Sequence, residues 1–391
     1  MNLIDLCLLL ALLSYALSGY RLGFLVGAAS TVSLLTGALV GVLVAPALLD
    51  GFDASVALSV AALVVVVVCA TAGQALGAIL GAAVRAAVTW RPARTVDAVG
   101  GAALSTAAVL VIAWGLGYAV SGARIPWLGS QVRGSYVLSV VDVAMPDGAE
   151  QVLGAFDDVV GSELFPRYLQ PFVPEQIIPV APPDDSLLAD RDVRRAAASV
   201  VKVLGEAEQC NRLLEGSGFV YAPDRVMTNA HVVAGVSDVV VEVAGEELDA
   251  EVVLFDTELD VAVLSVEDID ARPLDFGPTG REGGGAVVMG FPENGPFDAR
   301  PARIRAEQRL RSPDIYGDGS HEREVLSVRS RVRSGNSGGP LVSPQGEVLG
   351  VIFAASVSDT GTGYALTADQ VAGSAGLGRG ADEAVSAGEC S

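Results

Sequence analysis

The chain has 391 residues with 25 Lys or Arg, 46 Asp or Glu, and a formal net charge of −21. This length allows two or three domains, and such an acidic protein repels phosphate backbones, which argues against nucleic-acid binding. Residues 1–122 hold four acids and four bases, so the net charge lies in residues 123–391. Because the mean hydropathy is positive, we expect a membrane region followed by a soluble extension.

Four long apolar runs, at about 2–19, 22–49, 55–84 and 96–122, fill the first third of the chain. A bilayer core about 30 Å thick is crossed by about 20 helical residues, so these runs predict a four-helix transmembrane domain over residues 1–122. The first run lacks a basic leading segment and is followed closely by the second, which favours retained helices over a cleaved signal peptide. Gly-x-x-x-Gly spacings allow close helix packing, within one bundle or in a dimer.

The charges of the short loops predict the orientation of these helices. The first and third loops contain arginine, whereas the second loop contains only acidic residues. Basic loops stay on the cytoplasmic side, so we expect the N-terminus and everything after residue 122 outside the cytoplasm. No charged residue lies well inside a span, which gives no support to an ion pathway. The basic loop residues are Arg21, Arg85, Arg91 and Arg94.

Residues 123–195 are interpreted as an extracytoplasmic linker, partly helical and then Pro-rich. Part of 131–165 is compatible with helix, and six prolines interrupt the stretch that follows. Such composition is typical of extended, semi-rigid spacers. A processing or self-cleavage segment is the alternative interpretation. The prolines are Pro166, Pro171, Pro174, Pro179, Pro182 and Pro183.

From about residue 197 the chain changes to short Val-rich runs separated by Gly, Pro and Asp. Many short strands at this spacing favour antiparallel barrels or a sandwich over a parallel α/β sheet. We therefore expect an all-β domain over residues 196–391.

Three motifs in this domain contain the groups that acyl transfer by serine requires. His231 is a base, Asp260 is a carboxylate able to orient it, and Ser337 is a hydroxyl able to act as nucleophile, in the chain order of chymotrypsin-like enzymes. Glycines around Ser337 free the backbone to direct N–H groups at an oxyanion. Each motif is weak alone, but their joint occurrence predicts a serine hydrolase. The motifs are Thr228–Val233, Leu259–Leu264 and Gly335–Pro340.

Residues from about 197 to 375, with these motifs, resemble trypsin-like serine proteases of the bacterial HtrA type. The resemblance implies a chymotrypsin-like double β-barrel with the active site between the barrels. It also implies that His231 is the general base, Asp260 its orienting partner and Ser337 the nucleophile, with the N–H groups of Gly335 and Ser337 as the oxyanion hole. Too little sequence follows the last predicted strand for the PDZ domains of HtrA proteins, so peptide-triggered activation is not expected.

The start of the chain, Met1–Asp5 and Gly19–Gly23, resembles the colicin V production-type four-helix membrane domain. The complete arrangement of helices, linker and terminal protease is similar to the actinobacterial family of acid-resistance periplasmic serine proteases. That resemblance implies a multi-pass membrane protein whose protease domain lies on the periplasmic side. It further implies cleavage of envelope proteins such as cell-wall hydrolases, self-cleavage in the linker, and a role in acid or envelope stress.

The four cysteines fall into two pairs. Cys7 and Cys69 lie in predicted membrane helices, and Cys210 and Cys390 lie in the outer domain. Two cysteines in an oxidising compartment suggest one disulfide, which here pins the C-terminal tail to the first barrel. The loop-entropy model gives about 5 kcal/mol as an upper figure for so long a loop. In the resembled family the matching bridge is linked to proteolytic activity, so a stabilising bond and a redox control both stay open.

Two further residues leave alternatives open. Arg331 precedes Ser337 by six residues, near the place where this fold builds its primary specificity pocket. Inside that pocket it selects an acidic residue before the cut, but we expect it to point outward. His321 lies in a polar stretch and is expected to be an exposed loop residue, with acid sensing by its imidazole as the alternative.

No metal cluster, phosphate loop or cofactor motif is visible, so no metal and no cofactor are predicted. The expected partners are protein substrates and the lipid bilayer, and the sequence does not predict an oligomeric state. Two rival functions differ from a protease. One is a scaffold with an inactive protease fold, and the other is a membrane transport or export factor with an accessory protease domain.

Overall fold

The computed structural model describes residues 2–49, 56–121, 126–146, 175–207, 212–317, 319, 321–356 and 358–390. The chain forms two compact units, Met1–Gly117 with Ser135–Val143, and Tyr118–Gly134 with Ala144–Ser391. Four apolar helices come first and a β-rich chymotrypsin-like domain follows. The predicted fold class is therefore confirmed.

Four helices of the described residues are long and apolar enough to cross a membrane. Large apolar side chains cover their outer surfaces, as expected where the surrounding solvent is lipid. The helices are α1 (Leu3–Leu22), α2 (Phe24–Leu49), α3 (Val56–Ala87) and α4 (Arg91–Ser121), followed by the short helices α5 (Pro126–Arg133) and α6 (Tyr136–Ala144).

Acidic side chains cap helix ends in the first unit. Asp5 and Asn2 form a reciprocal capping box at the start of α1, and the buried Asp5 carboxylate also accepts the Ser135 hydroxyl at 2.6 Å. Asp97 accepts the Leu25 backbone N–H at 2.8 Å near the start of α2. A carboxylate at a helix N-terminus accepts hydrogen bonds from unpaired N–H groups and interacts favourably with the helix dipole. These acids therefore have a structural role.

Helices α2 and α3 pack with almost no side chain between them. A Cβ added to any of five glycines on the facing surfaces lies 2.3–2.8 Å from a backbone atom of the other helix. Such close approach indicates that the Gly-x-x-x-Gly spacings pack helices against each other within one bundle. The glycines are Gly37 and Gly41 on α2 and Gly73, Gly77 and Gly81 on α3.

The first barrel of the second unit closes in the strand order β1-β2-β3-β6-β5-β4. Alternating valines point inward along its strands, which explains the Val-rich runs in the sequence. Val201, Val203, Val241 and Leu264 are fully buried in its core. The strands are β1 (Val200–Ala207), β2 (Arg212–Ala222), β3 (Arg225–Thr228), β4 (Asp238–Val243), β5 (Glu246–Asp256) and β6 (Val261–Ser265).

The second barrel closes in the equivalent order β10-β11-β12-β9-β8-β7. Its interior contains Ile304, Leu326, Val328 and Ile352. The strands are β7 (Gly285–Gly290), β8 (Asp298–Ser312), β9 (His321–Arg329), β10 (Pro340–Val342), β11 (Val348–Ala355) and β12 (Thr362–Thr367). The remaining helical elements are a 3-10 turn (Asp185–Ala189), α7 (Arg191–Ala197), the single turn α8 (Ala230–Val233), a second 3-10 turn (Pro292–Asn294) and α9 (Ala368–Arg379).

The described end of the predicted linker, residues 175–182, is held by side chains of the second barrel. Carbonyl groups of every second residue accept hydrogen bonds from β8 and β9, so the segment is extended with one side facing these strands. We call this set of contacts the linker clamp. Its pairs, donor first, are Gln308–Gln176 at 3.0 Å, Arg305–Ile178 at 2.6 Å, Arg329–Val180 at 2.6 Å and Arg303–Pro182 at 2.8 Å.

Just before the linker clamp, the carboxylate of Glu175 is buried against the protease domain. This group accepts hydrogen bonds from the Ser356 hydroxyl and from the Tyr364 hydroxyl, the latter at 3.1 Å. The spacer predicted from the prolines is therefore packed against the protease domain from Glu175 onward. The earlier prolines, up to Pro174, lie outside the described residues.

Candidate active site

The helical turn α8 places His231 at the end of β3, where it is buried. Its ring Nδ1 lies 2.8 Å from Oδ2 and 3.0 Å from Oδ1 of Asp260, and its backbone N–H donates to Oδ1 at 3.0 Å. A carboxylate at Nδ1 holds the proton there, which leaves Nε2 as the acceptor that a general base requires.

Asp260 has an uncommon backbone conformation between β5 and β6. Its φ is +60°, in the left-handed region, and its side chain is fully buried. Non-glycine residues seldom adopt this region, although Asp tolerates it better than most. The Asn229 side chain donates to the Asp260 carbonyl at 2.7 Å. The segment just before His231 therefore fixes the residue that contacts its ring.

Ser337 lies in the turn between β9 and β10 of the second barrel. At the next residue, Gly338, φ is +82°, and an added Cβ lies 2.1 Å from the Ser217 carbonyl oxygen and 2.3 Å from Thr228 Oγ1. Only glycine fits this contact. The turn that contains Ser337 therefore packs directly against β2 and against the residues that lead to His231.

Ser217 in β2 belongs to the site and was not predicted from the sequence. Its N–H donates to the Ser337 carbonyl at 2.8 Å. Its fully buried hydroxyl donates to the Gly335 carbonyl at 2.6 Å and accepts the Phe291 N–H at 2.9 Å. The available signal was a serine between two glycines, Gly216 and Gly218, on a strand that ends near the His231 motif.

The backbone around Ser337 is arranged to leave two donors unused. Gly335 has φ +84°, and the carbonyl of Ser334 accepts the Glu293 N–H at 2.8 Å. Among the described residues, no acceptor is bound by the N–H of Gly335 or of Ser337. Two free donors beside a serine hydroxyl are what an oxyanion hole requires.

The structure shows the orientation of Arg331 and the environment of His321. Arg331 is exposed, whereas Val332 is buried against Gly363, which agrees with the outward orientation of Arg331. The prediction that His321 is an exposed loop residue is wrong. It begins β9, is half-buried, and its Nδ1 lies 3.4 Å from Glu258 Oε2, because β9 extends further than the polar sequence indicates.

The C-terminal tail lies along the first barrel. Val385 N–H donates to the Val252 carbonyl at 2.7 Å, and Gly235 N–H donates to the Ala387 carbonyl at 3.0 Å. Cys390 lies beside Gly235, close to α8. Cys210 lies outside the described residues, so its pairing with Cys390 stays a prediction.

Other titratable groups in the protease domain serve packing. Burial raises the pKa of Tyr221 to about 12, and its hydroxyl donates to the Ala375 carbonyl at 3.1 Å. Burial also raises the pKa of Tyr364, which donates to Glu175. Among the described residues, no group of three or more His, Cys, Asp or Glu is placed to hold a metal ion.

Comparisons with known proteins agree with this arrangement. Residues 216–351 match the family model of the trypsin-like peptidase domain, and residues 4–146 match that of the colicin V production protein. A probable periplasmic serine endoprotease, DegP-like, from Halomonas elongata is 34% identical over 172 residues, which cover 42% of this chain and 35% of the relative. The HtrA-type and colicin V-type resemblances are thereby confirmed.

A relative from Mycobacterium tuberculosis (strain H37Rv), serine protease Rv3671c, matches nearly the whole chain. It is 41% identical over 373 residues, which cover 95% of this chain and 94% of the relative. The crystal structure of the active form of the Rv3671c protease has 46% identity and a TM-score of 0.54, covering 57% of this chain and 98% of that one. The chain therefore belongs to the Rv3671c family of serine proteases, in which a trypsin-like peptidase domain follows a colicin V-type helical domain.

Proposed function

We propose that this serine protease is a membrane-anchored endopeptidase that uses His231, Asp260 and Ser337 as its catalytic triad. The contact between the Asp260 carboxylate and His231 Nδ1, at 2.8 Å, is the observation that carries the proposal. The unused N–H groups of Gly335 and Ser337 support it, because they provide the second component that acyl transfer needs.

The reaction follows from these positions. His231 Nε2 takes the proton of the Ser337 hydroxyl as Oγ attacks the scissile carbonyl carbon, and Asp260 stabilises the imidazolium that forms. The negative oxygen of the tetrahedral intermediate accepts hydrogen bonds from Gly335 and Ser337. His231 then gives its proton to the leaving amine, and an acyl-enzyme remains. A water molecule, deprotonated by His231, attacks this ester and regenerates the serine.

We place the protease domain on the extracytoplasmic, periplasmic side of the membrane. The predicted loop arginines lie in the structure at helix ends next to the first and third connections, and there they support this orientation under the positive-inside rule. They are Arg21, Arg85, Arg91 and Arg94. One relative that matches the protease domain is named a probable periplasmic endoprotease. A topology reporter fused after residue 390 tests the orientation, and reporter activity only on the cytoplasmic side contradicts it.

The substrates in this proposal are proteins of the cell envelope, with cell-wall hydrolases and the enzyme's own linker among them. A role in acid or envelope stress is part of the same proposal, and it rests on family resemblance. Self-cleavage is tested by comparing the full-length wild type with Ser337→Ala. An intact chain in the variant and a cut chain in the wild type are expected, whereas equal cutting in both contradicts self-cleavage.

A disulfide between Cys210 and Cys390 completes the proposal. It fits the position of Cys390 beside Gly235, where a bond holds the tail against the barrel near His231. A redox effect on activity requires that Cys390→Ser lowers activity and that reductant has no further effect on this variant. Activity equal to the wild type with and without reductant leaves only a stabilising role for the bond.

The central experiment is fluorophosphonate labelling of the full-length protein in detergent. Wild type is compared with Ser337→Ala and Asp260→Asn, because fluorophosphonates label only an activated serine. Loss of labelling in Ser337→Ala and a large decrease in Asp260→Asn are expected. We use the full-length protein because residues 175–182 are bound to the protease domain, so a fragment that begins after them loses these contacts. A wild type that takes no label, after oxidation and after linker cleavage, supports the rival function of an inactive scaffold.

A further inference from the structure

Arg323 in β9 is among the largest fully buried side chains of the described protein, and the mechanism above gives it no role. Removing a guanidinium from water is costly unless its donors find partners with good geometry. The partners of Arg323 therefore indicate what its burial achieves. They lie on both sides of the junction between the barrels.

On one side, Arg323 binds the segment that leads to Asp260. Its Nε and Nη2 both donate to the Glu258 carbonyl, at 2.9 and 2.7 Å. Within its own barrel, Nη2 also donates to the carbonyl of Pro313, which follows β8, at 3.2 Å. A planar two-donor grip on one carbonyl fixes that peptide group in both position and orientation. Glu258 lies only two residues before Asp260.

On the other side, Arg323 packs against the strand that supports Ser337. Its guanidinium carbon lies 5.8 Å from the centroid of the Phe353 ring in β11, within the range of a cation–π contact. The preceding residue, Ile352, exchanges two backbone hydrogen bonds of 2.8 Å with the Ser337 turn, accepting from Gly338 and donating to Gly339.

The conformation of Asp260 explains why the hydrogen bonds from Arg323 to the Glu258 carbonyl are important. Its φ of +60° is unfavourable for a residue with a side chain, so neighbouring contacts must hold it. Asn229 holds the carbonyl of Asp260 itself, and Arg323 holds the carbonyl two residues earlier. A shift of this segment moves the carboxylate relative to His231.

We propose that Arg323 is a positioning residue for the catalytic triad. From the second barrel it fixes the segment before Asp260, and through Phe353 it ties that segment to the strand behind Ser337. The inference rests on the proposed triad. Because Arg323 acts on the position of Asp260, whose charge is needed as the transition state forms, we expect its loss to lower kcat and to leave KM nearly unchanged.

Arg323→Met and Arg323→Lys in the full-length protein test this proposal. Arg305→Met is the matched control, because Arg305 is also a buried arginine that donates to a backbone carbonyl, that of Ile178 in the linker clamp. We expect kcat to fall about 10- to 100-fold in Arg323→Met, less than the about 10⁴-fold loss when a triad Asp is replaced. We expect an intermediate loss in Arg323→Lys, which keeps a cation, and wild-type kcat in Arg305→Met.

A double-mutant cycle with Asp260→Asn separates positioning from general support of the core. If Arg323 acts through Asp260, Arg323→Met adds little to the loss already caused by Asp260→Asn, measured as the rate of fluorophosphonate labelling. A folded Arg323→Met protein with unchanged kcat overturns the proposal. The proposal is also overturned if Arg323→Met lowers the labelling rate by the same factor in the wild type and in Asp260→Asn. Where Arg323→Met does not fold, Arg323→Lys is carried through the same cycle and decides the question. Wild-type labelling in Asp260→Asn alone overturns the triad itself, which distinguishes that failure from a failure of Arg323.

Discussion

The Ser217 hydroxyl donates a hydrogen bond of 2.6 Å to the carbonyl of Gly335, which lies 118 residues later in the chain. Ser217 belongs to the first barrel, and Gly335 begins the turn of the second barrel that contains Ser337. The same hydroxyl accepts the Phe291 N–H. One small side chain thus fixes the turn that contains Ser337 from the opposite barrel.

Replacing Ser217 by Ala is expected to lower kcat about tenfold. The change leaves the part-buried Phe291 N–H and the buried Gly335 carbonyl without their shared partner, which lowers the free energy of unfolding by about 1–3 kcal/mol. It also loosens one of the two proposed oxyanion donors. Steady-state kinetics on a peptide amide substrate measure the effect. KM is expected to stay within about twofold of the wild type.

Ser343→Ala is the matched control for Ser217→Ala. Ser343 is also buried, and its hydroxyl accepts backbone N–H groups in the turn between β10 and β11. It lies outside the Ser337 turn, so a loss of stability without loss of kcat is expected. Equal losses of kcat in both variants contradict a special role for Ser217.

Gly338→Ala is expected to abolish labelling and to lower the free energy of unfolding by about 2–5 kcal/mol, from left-handed strain and overpacking. The reason is geometric, because the added Cβ lies 2.1 Å from the Ser217 carbonyl oxygen and φ is +82°. Chemical denaturation and fluorophosphonate labelling measure the two effects.

Gly376→Ala provides the comparison for Gly338→Ala. Gly376 is exposed within α9, and an added Cβ there has no neighbour within 4 Å. Alanine inside an exposed helix stabilises by about 0.5–1 kcal/mol, so this variant is expected to keep full activity. A destabilised Gly376→Ala protein contradicts the described packing of α9.

The sequence predicts those parts of the molecule that depend on local patterns. Apolar length is enough to predict four helices. Short Val-rich runs are enough to predict an all-β domain built as barrels or a sandwich, and the choice of a double barrel comes from the resemblance to HtrA-type proteases. The His231 and Ser337 motifs are contiguous, so chemistry alone makes them recognisable as candidates.

The supporting residues depend on contacts that no local pattern contains. Ser217 and Gly335 are separated by 118 residues, and Arg323 and Glu258 by 65. Arg323 is one of several charged residues in a polar stretch, and nothing in that stretch predicts that it is buried. Its burial follows from the closure of the second barrel against the first.

Linker-clamp arginines are expected to protect the end of the linker from proteolysis. Arg305→Ala combined with Arg329→Ala removes donors to the carbonyls of Ile178 and Val180. Limited digestion by an added protease, in a Ser337→Ala background to prevent self-cleavage, is expected to cut within residues 175–182 at least tenfold faster in this variant, since cleavage follows the population of the open segment.

Arg309→Ala is the control for the linker-clamp variant. Arg309 lies on the same strand β8, but it is exposed and pairs with Glu322 and Glu324. Exposed ion pairs of this kind contribute little, so digestion at the wild-type rate is expected. Faster cutting after Arg309→Ala indicates that general loosening of β8, and not loss of the clamp, exposes the linker.

Mild acid is not expected to open the linker clamp. Asp359 pairs with Arg305 at 3.2 Å. Burial alone raises the pKa of Asp359, but hydrogen bonds from Thr362 and Gly361, with the Arg305 charge, hold it below its ordinary value of 3.8. A carboxylate with a lowered pKa stabilises the folded state above its unfolded pKa, and the effect is lost as the pH falls through the folded pKa.

The measurement is the digestion rate of residues 175–182 between about pH 7 and pH 3, a range that brackets the ordinary carboxyl pKa. It uses an added acid-tolerant protease and the Ser337→Ala background. Wild-type protection is expected to stay constant down to about pH 4 and to decrease below it, as Asp359 takes up its proton. Asp359→Asn is expected to be cut faster than the wild type at neutral pH, and the difference should vanish at the acid end. Loss of wild-type protection already near pH 6 contradicts the assignment to Asp359, because a carboxyl group with a lowered pKa remains charged there.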